Sequence, residues 1–198
     1  MKLFAAALVV QACALPCPSG LSPPRGWNSW DADANSVNES TIIASAEWVR
    51  DNLLPFGFDT ITIDGGYYDN STSPGNYIVD AYGLPVPDPV RFPSSAGGLG
   101  LLPLAKMVNK MGLKLGAWTI RGVTTVAYEA NLPIKNSAFH ARDVGVVGKA
   151  TNCSWDSSVI GTNAPSLAAD AWYASLAQHY VDSGLEQIKI DCMFNETW

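Results

Sequence analysis

Residues 57–64 read GFDTITID and residues 184–191 read GLEQIKID. The two stretches align residue for residue, with glycine first and aspartate last. In each, isoleucines alternate with polar residues before the acid, the pattern of a strand. Each is also preceded by apolar residues at three- and four-residue steps: Ile42, Ile43, Ala46, Val49 and Leu53 before the first, Ala168, Trp172, Leu176 and Tyr180 before the second. That spacing predicts a helix with one apolar face. The glycine sits where such a helix stops in a left-handed cap.

A looser third copy surrounds Gly112. Leu101, Leu104, Ala105 and Val108 form the stripe, and LKLGAW forms the strand, ending at Trp118 in place of an acid. Ahead of all three, GWNSWD at residues 26–31 reads as a short opening strand. The predicted order is strand, helix, strand, helix, strand, helix, strand. Parallel strands need crossovers of helix length, and helices then cover both sheet faces. The fold class is therefore α/β. In such folds ligands bind at the carboxyl ends of the strands, where the connecting loops share one mouth. Asp31, Asp64, Trp118 and Asp191 are the residues predicted there. Residues 70–100 and 121–165 are rich in turn formers and read as long functional loops within one domain.

The composition narrows the function. Of 198 residues, 47% are hydrophobic and 15% charged, which suits a folded domain, and the net charge of -6 comes with no basic run. Nucleic-acid binding needs clustered lysine and arginine, so no nucleic-acid partner is expected. The opening MKLFAAALVVQACALP carries an early lysine, a short apolar run and a small-x-small cleavage pattern, so residues 1–14 read as a signal peptide and 15–198 as the mature domain. The apolar run is shorter than the roughly 20 residues of a membrane span, and no other segment is a candidate. Asn38, Asn70, Asn152 and Asn195 begin Asn-x-Ser/Thr sequons, which fits a secretory route. Loss of Cys13 with the signal leaves Cys17, Cys153 and Cys192, an odd number for an oxidising compartment.

Aromatic rings beside carboxylates at one mouth suit a sugar, whose apolar face stacks while its hydroxyls reach acids and lysine. Trp30, Trp118, Tyr67 and Tyr68 are candidates for the stack, and Trp27 reads as a core residue. Lys189 lies two residues before Asp191 on the same strand face. A lysine facing a cleft needs a charge partner, and pairing with Asp191 would keep that carboxylate ionised for attack. On local pattern, Asp64 fits a ligand role and a cap on backbone amides equally. His140 and His179 lack companions at metal-ligand spacing, so no metal and no cofactor are expected. Neither a phosphate loop nor a serine-nucleophile elbow occurs.

The motifs PPRGWNSWD, ITID, RFPSS followed by GLLPLAKMVNKMGLKLG, and IKIDC resemble glycoside hydrolase family 27, the α-galactosidases or melibiases, from about Pro23 onward and in the family's order. The resemblance implies a (β/α)8 barrel, secreted or lysosomal/vacuolar, homodimeric in some full-length members, that releases terminal α-linked galactose with retention. Two carboxyls about 5–5.5 Å apart carry that chemistry. Asp191 matches the nucleophile, Lys189 the lysine beside it, Trp30 a pocket tryptophan and Asp64 the first of two sugar-binding aspartates. Cys153 and Cys192 match a cysteine pair, implying a disulfide. Gly65 stands where the second aspartate is usual, and Trp118 replaces a tyrosine, followed by Arg121, a further sugar-binding candidate. Both departures loosen the expectation of galactose and admit another α-linked sugar, such as α-1,6-glucan. Only four of a barrel's eight strands are counted, and no acid/base candidate follows, so the chain is expected to be an N-terminal half. A non-catalytic sugar-binding half-barrel and a self-contained four-stranded domain are the alternatives.

Overall fold

The computed structural model describes residues 24–73, 76–148 and 153–193. The expected signal peptide, Cys17, Asn152 and Asn195 lie outside them. Within them the elements run β1 (Gly26–Asn28), α1 (Trp30–Asp33), α2 (Glu39–Asn52), β2 (Thr60–Ile63), α3 (Leu102–Lys110), β3 (Lys114–Ile120), β4 (Val123–Thr124), α4 (Thr125–Ala130), α5 (Ala141–Val144), β5 (Val159–Ile160), α6 (Leu167–Asp182) and β6 (Gln187–Asp191).

Four strands form a parallel sheet in the order β1-β2-β3-β6, and β4 and β5 form a separate antiparallel pair. The main strands follow one another without a reversal, so the sheet is singly wound. A barrel is wound this way, whereas a doubly wound sheet switches direction partway. Among the described residues the sheet stays open, as expected for the first four strands of a (β/α)8 barrel.

The local sequence explains the crossovers. Asn38 caps α2 by accepting the Thr41 amide at 3.1 Å, while Thr41 returns the favour to the Asn38 amide, and Ile42, Ala46 and Val49 are buried beneath. Ser166 caps α6 in the same manner, which buries Ala168, Trp172, Leu176 and Tyr180. The chain leaves the helical segments at Gly57, Gly112 and Gly184, all with positive φ (81°, 81° and 71°), a conformation open to glycine. Leu115 and Ala117 of β3 pack with the helices, while Gly116 and Trp118 take the opposite face. No helix among the described residues is long and apolar enough to cross a membrane.

Two expectations need correction. The GWNSWD stretch is not one strand: β1 stops at Asn28, and Ser29 starts a single helical turn that carries Trp30 and Asp31. Backbone amides of Ala32 and Asp33 close onto the Ser29 carbonyl, which ends extension there. Asp31 is consequently exposed and outside the strand mouth. The stretch 121–165 is not merely a loop. It holds β4, α4, α5 and β5 around a second apolar cluster in which Val123, Ala127, Ile134 and Val144 meet Trp172 of α6.

Candidate active site

At the carboxyl end of the sheet lies a cavity of about 570 Å3, lined by Trp30, Asn35, Asp64, Gly65, Trp118, Lys189 and Asp191 among others. Its floor comes from side chains of one strand parity. Register pairs Thr62 with Gly116 and Gly116 with Gln187, then Trp118 with Lys189, so these residues form successive rows on one face. Gly116 matters here because a β-carbon on it would stand 3.1 Å from the Thr62 hydroxyl and from Gln187. Its bare backbone lets Thr62 and Gln187 meet across β3 at 3.0 Å.

One row above, Lys189 reaches across the same central strand. Its Nζ lies 2.7 Å from Oδ2 of Asp64. The expected pairing of Lys189 with Asp191 is thus corrected: the lysine's ion-pair partner is Asp64, which sits only 2% exposed. A buried carboxylate demands this much compensation. Asn28 Nδ2 donates to the same oxygen at 2.7 Å, and the Gly65 amide donates to Oδ1 at 2.8 Å. Both local readings of Asp64 are therefore realised, since it caps a backbone amide and faces the cavity.

Asp191 is held differently. Trp118 Nε1 donates to Oδ2 at 3.0 Å, and the amide of Cys192 donates to Oδ1 at 2.7 Å. The second bond requires the chain to double back, which Cys192 does at φ 56°, in the left-handed region. Cys192 is joined to Cys153 in a disulfide, as the resemblance implied. Asp191 thus has a fixed orientation without a salt bridge. Trp118 is an orienting donor, buried under the cavity and followed by two more strand residues.

The remaining candidates divide. Trp30 lines the cavity and is half exposed. Tyr67 and Tyr68 are corrected from stacking residues to core: each is about 1% exposed, and Tyr68 lies behind Trp118 with ring centroids 5.7 Å apart. Trp27 packs against the core. Arg121 is also corrected. It falls on the opposite strand parity from Trp118, its Nε donates to the carbonyl of Cys192, and it lines a separate groove with Ile188 and Ile190. His179 bonds the Pro85 carbonyl at 2.8 Å, and burial lowers its pKa, a packing role.

Several cavity residues had no motif to announce them. Asn28 ends β1 as Asp64 follows β2, and that parallel was the one available signal. Asn35 lies beside the position a Gly65 β-carbon would occupy, its Oδ1 3.9 Å away. Asp69, Tyr77, Trp155 and Asp156 arrive from loops.

No family model matches the chain. A protein named "Probable alpha-galactosidase B" from Aspergillus clavatus is 34% identical over 138 residues, covering 65% of this chain and 29% of that protein. Alpha-galactosidase 3 of Arabidopsis thaliana is 35% identical over 105 residues, with 52% and 21% covered. The crystal structure of a GH27 β-L-arabinopyranosidase from Geobacillus stearothermophilus superposes with a TM-score of 0.82 at 31% identity, covering 89% of this chain and 42% of that one. The chain spans under a third of the length of these curated relatives. In sequence and in fold it belongs to glycoside hydrolase family 27, in the N-terminal portion of the catalytic barrel.

Proposed function

We propose that the chain forms the nucleophile-bearing half of a retaining glycoside hydrolase site, with Asp191 attacking the anomeric carbon of a terminal α-linked galactose. The observation that carries this is the division of labour between two carboxylates at strand ends. Asp64 is neutralised by Lys189, while Asp191 is aimed by an indole and an amide and has no cationic partner within salt-bridge distance. An attacking carboxylate benefits from orientation without a competing counter-ion.

In the proposed reaction the Asp191 carboxylate forms an ester with the sugar as the glycosidic C–O bond breaks, the leaving oxygen takes a proton from a carboxylic acid, and water later cleaves the ester. That proton donor is not assigned to any residue of this chain. Asp64 and Lys189 accept and donate to sugar hydroxyls, with Trp30 against the ring. Gly65 leaves the wall between Trp30 and Trp118 without a carboxylate, where Asn35 offers a neutral amide instead. Sugars other than galactose therefore fit the reading: the Geobacillus relative is named for β-L-arabinopyranose, which is α-galactose without its hydroxymethyl group. The N-terminal signal pattern, the disulfide and the sequons support a secreted or vacuolar glycoprotein.

An activated α-galactosyl fluoride with ring fluorination tests the nucleophile, because fluoride departs without a proton donor. Intact-mass and peptide analysis should find one glycosyl adduct, on the peptide containing Asp191 and absent from Asp191→Asn. Sugar binding with no adduct would refute the nucleophile and leave a non-catalytic sugar-binding domain.

A further inference from the structure

The cavity has a second wall that the proposed chemistry at Asp191 does not use. Trp155 is 60% exposed yet lines the cavity, in contrast to Trp118, Tyr67 and Tyr68, which are buried in its floor. A lone exposed tryptophan needs no explanation on an open surface. This one stands beside a carboxylate whose two oxygens are both fixed: the Tyr77 hydroxyl donates to Asp156 Oδ2, and the Ser158 amide donates to Oδ1 at 2.7 Å. Each oxygen still has a lone pair for a further donor. Asp69 shares the cavity, and burial raises its pKa, which favours a protonated carboxyl able to donate to a hydroxyl.

The wall is set apart from the floor by a row of rings. Trp118 stacks on Tyr68 at 5.7 Å, Tyr68 meets Tyr77 edge to face at 4.6 Å, and Tyr77 holds Asp156. The Cys153–Cys192 disulfide ties this segment to the residue after Asp191, which fixes the wall relative to the floor.

We propose that Trp155, Asp156 and Tyr77 form a second sugar-ring subsite, with the indole as stacking platform and Asp156 as hydroxyl acceptor. The inference rests on Asp191 and Asp64 holding a terminal sugar. A terminal sugar has a neighbour only on its leaving side, so the second ring is the leaving group. The substrate class is then an oligosaccharide with a hexopyranosyl leaving group, in preference to a glycoside of an apolar alcohol.

The test compares methyl α-D-galactopyranoside with melibiose, which adds a glucose ring, by titrating the purified protein and following indole N–H resonances. Melibiose should bind roughly tenfold tighter, equivalent to about 1.4 kcal/mol, and should shift the Trp155 resonance. Trp155→Ala should bring the ratio of the two dissociation constants close to one, and Trp155→Phe should restore part of it. Because Trp155 is largely exposed, neither change threatens the fold. Equal affinity for both ligands, or a melibiose preference that survives Trp155→Ala, would overturn the subsite while leaving the Asp191 reading intact. Failure of both ligands to bind would overturn the two together.

Discussion

The floor and the wall of the cavity are built by opposite means. On the floor, Lys189 and Asp64 come from positions 125 residues apart and meet because two strands share register with a third. On the wall, Tyr77 and Asp156 meet through loops, each pinned locally: Asp156 by the Ser158 amide two residues on, and its segment by a disulfide. Sheet register positions charged groups through the whole core, so disturbing it should disturb everything above it. Loop walls depend on a few ties, so cutting a tie should move the wall and spare the floor.

Four changes would break or sharpen this contrast. The largest effect belongs to the wall's tie. Replacing Cys153 and Cys192 together by serine opens a closure spanning 39 residues and should cost about 2–4 kcal/mol of stability, read by denaturant unfolding. It should also weaken melibiose binding more than methyl galactoside binding. An unchanged midpoint would show that the tie carries no weight.

Gly116→Val strikes the floor instead. Its branched side chain would press on Thr62 and Gln187, with an expected loss of about 1–3 kcal/mol and weaker binding of both sugars alike. If only melibiose binding suffered, the distinction between floor and wall would fail. Lys189→Met leaves Asp64 with Asn28 and the Gly65 amide, so the expected destabilisation is smaller, about 1–2 kcal/mol, accompanied by at least about tenfold weaker sugar binding. Loss of binding with full stability would mark the lysine as a ligand contact alone.

The smallest effect concerns the amino end of the same sheet. Lys114 donates to Asp59 at 2.7 Å and holds that carboxyl below its ordinary value of 3.8. A depressed carboxyl stabilises the fold above its unfolded pKa, and the contribution disappears as pH falls through the lower folded value. Thermal melts of wild type and Asp59→Asn should therefore converge below about pH 4. The gap above it should be under about 1 kcal/mol, because both side chains are well exposed to solvent. A gap that is constant across pH would contradict the pairing.

Much of the floor was legible in the sequence. The paired motifs ending in Asp64 and Asp191 combine strand alternation with glycine helix stops, and both signals are local, so the strands, the crossovers and the two strand-end acids follow from them. Lys189 was assigned the right face and the wrong partner. Face depends on period two within one strand, but partner choice depends on register among β2, β3 and β6, which a single sequence does not display. Arg121 failed for a related reason: β3 extends beyond Trp118, and the extra residues decide which face each later side chain takes. Tyr67 and Tyr68 lie next to Asp64 in sequence, yet the chain turns after it and buries both rings. The wall was illegible for a different reason. Its residues lie in stretches without periodicity, and the cluster around Trp172 that folds residues 121–165 is assembled from contacts remote in sequence.

A crystal structure with methyl α-D-galactopyranoside bound tests the central claim most directly. The account expects the sugar on the floor, its hydroxyls bonded to Asp64 and Lys189 and its anomeric carbon facing Asp191. A sugar bound away from Asp191, or held by the loop wall alone, would contradict it.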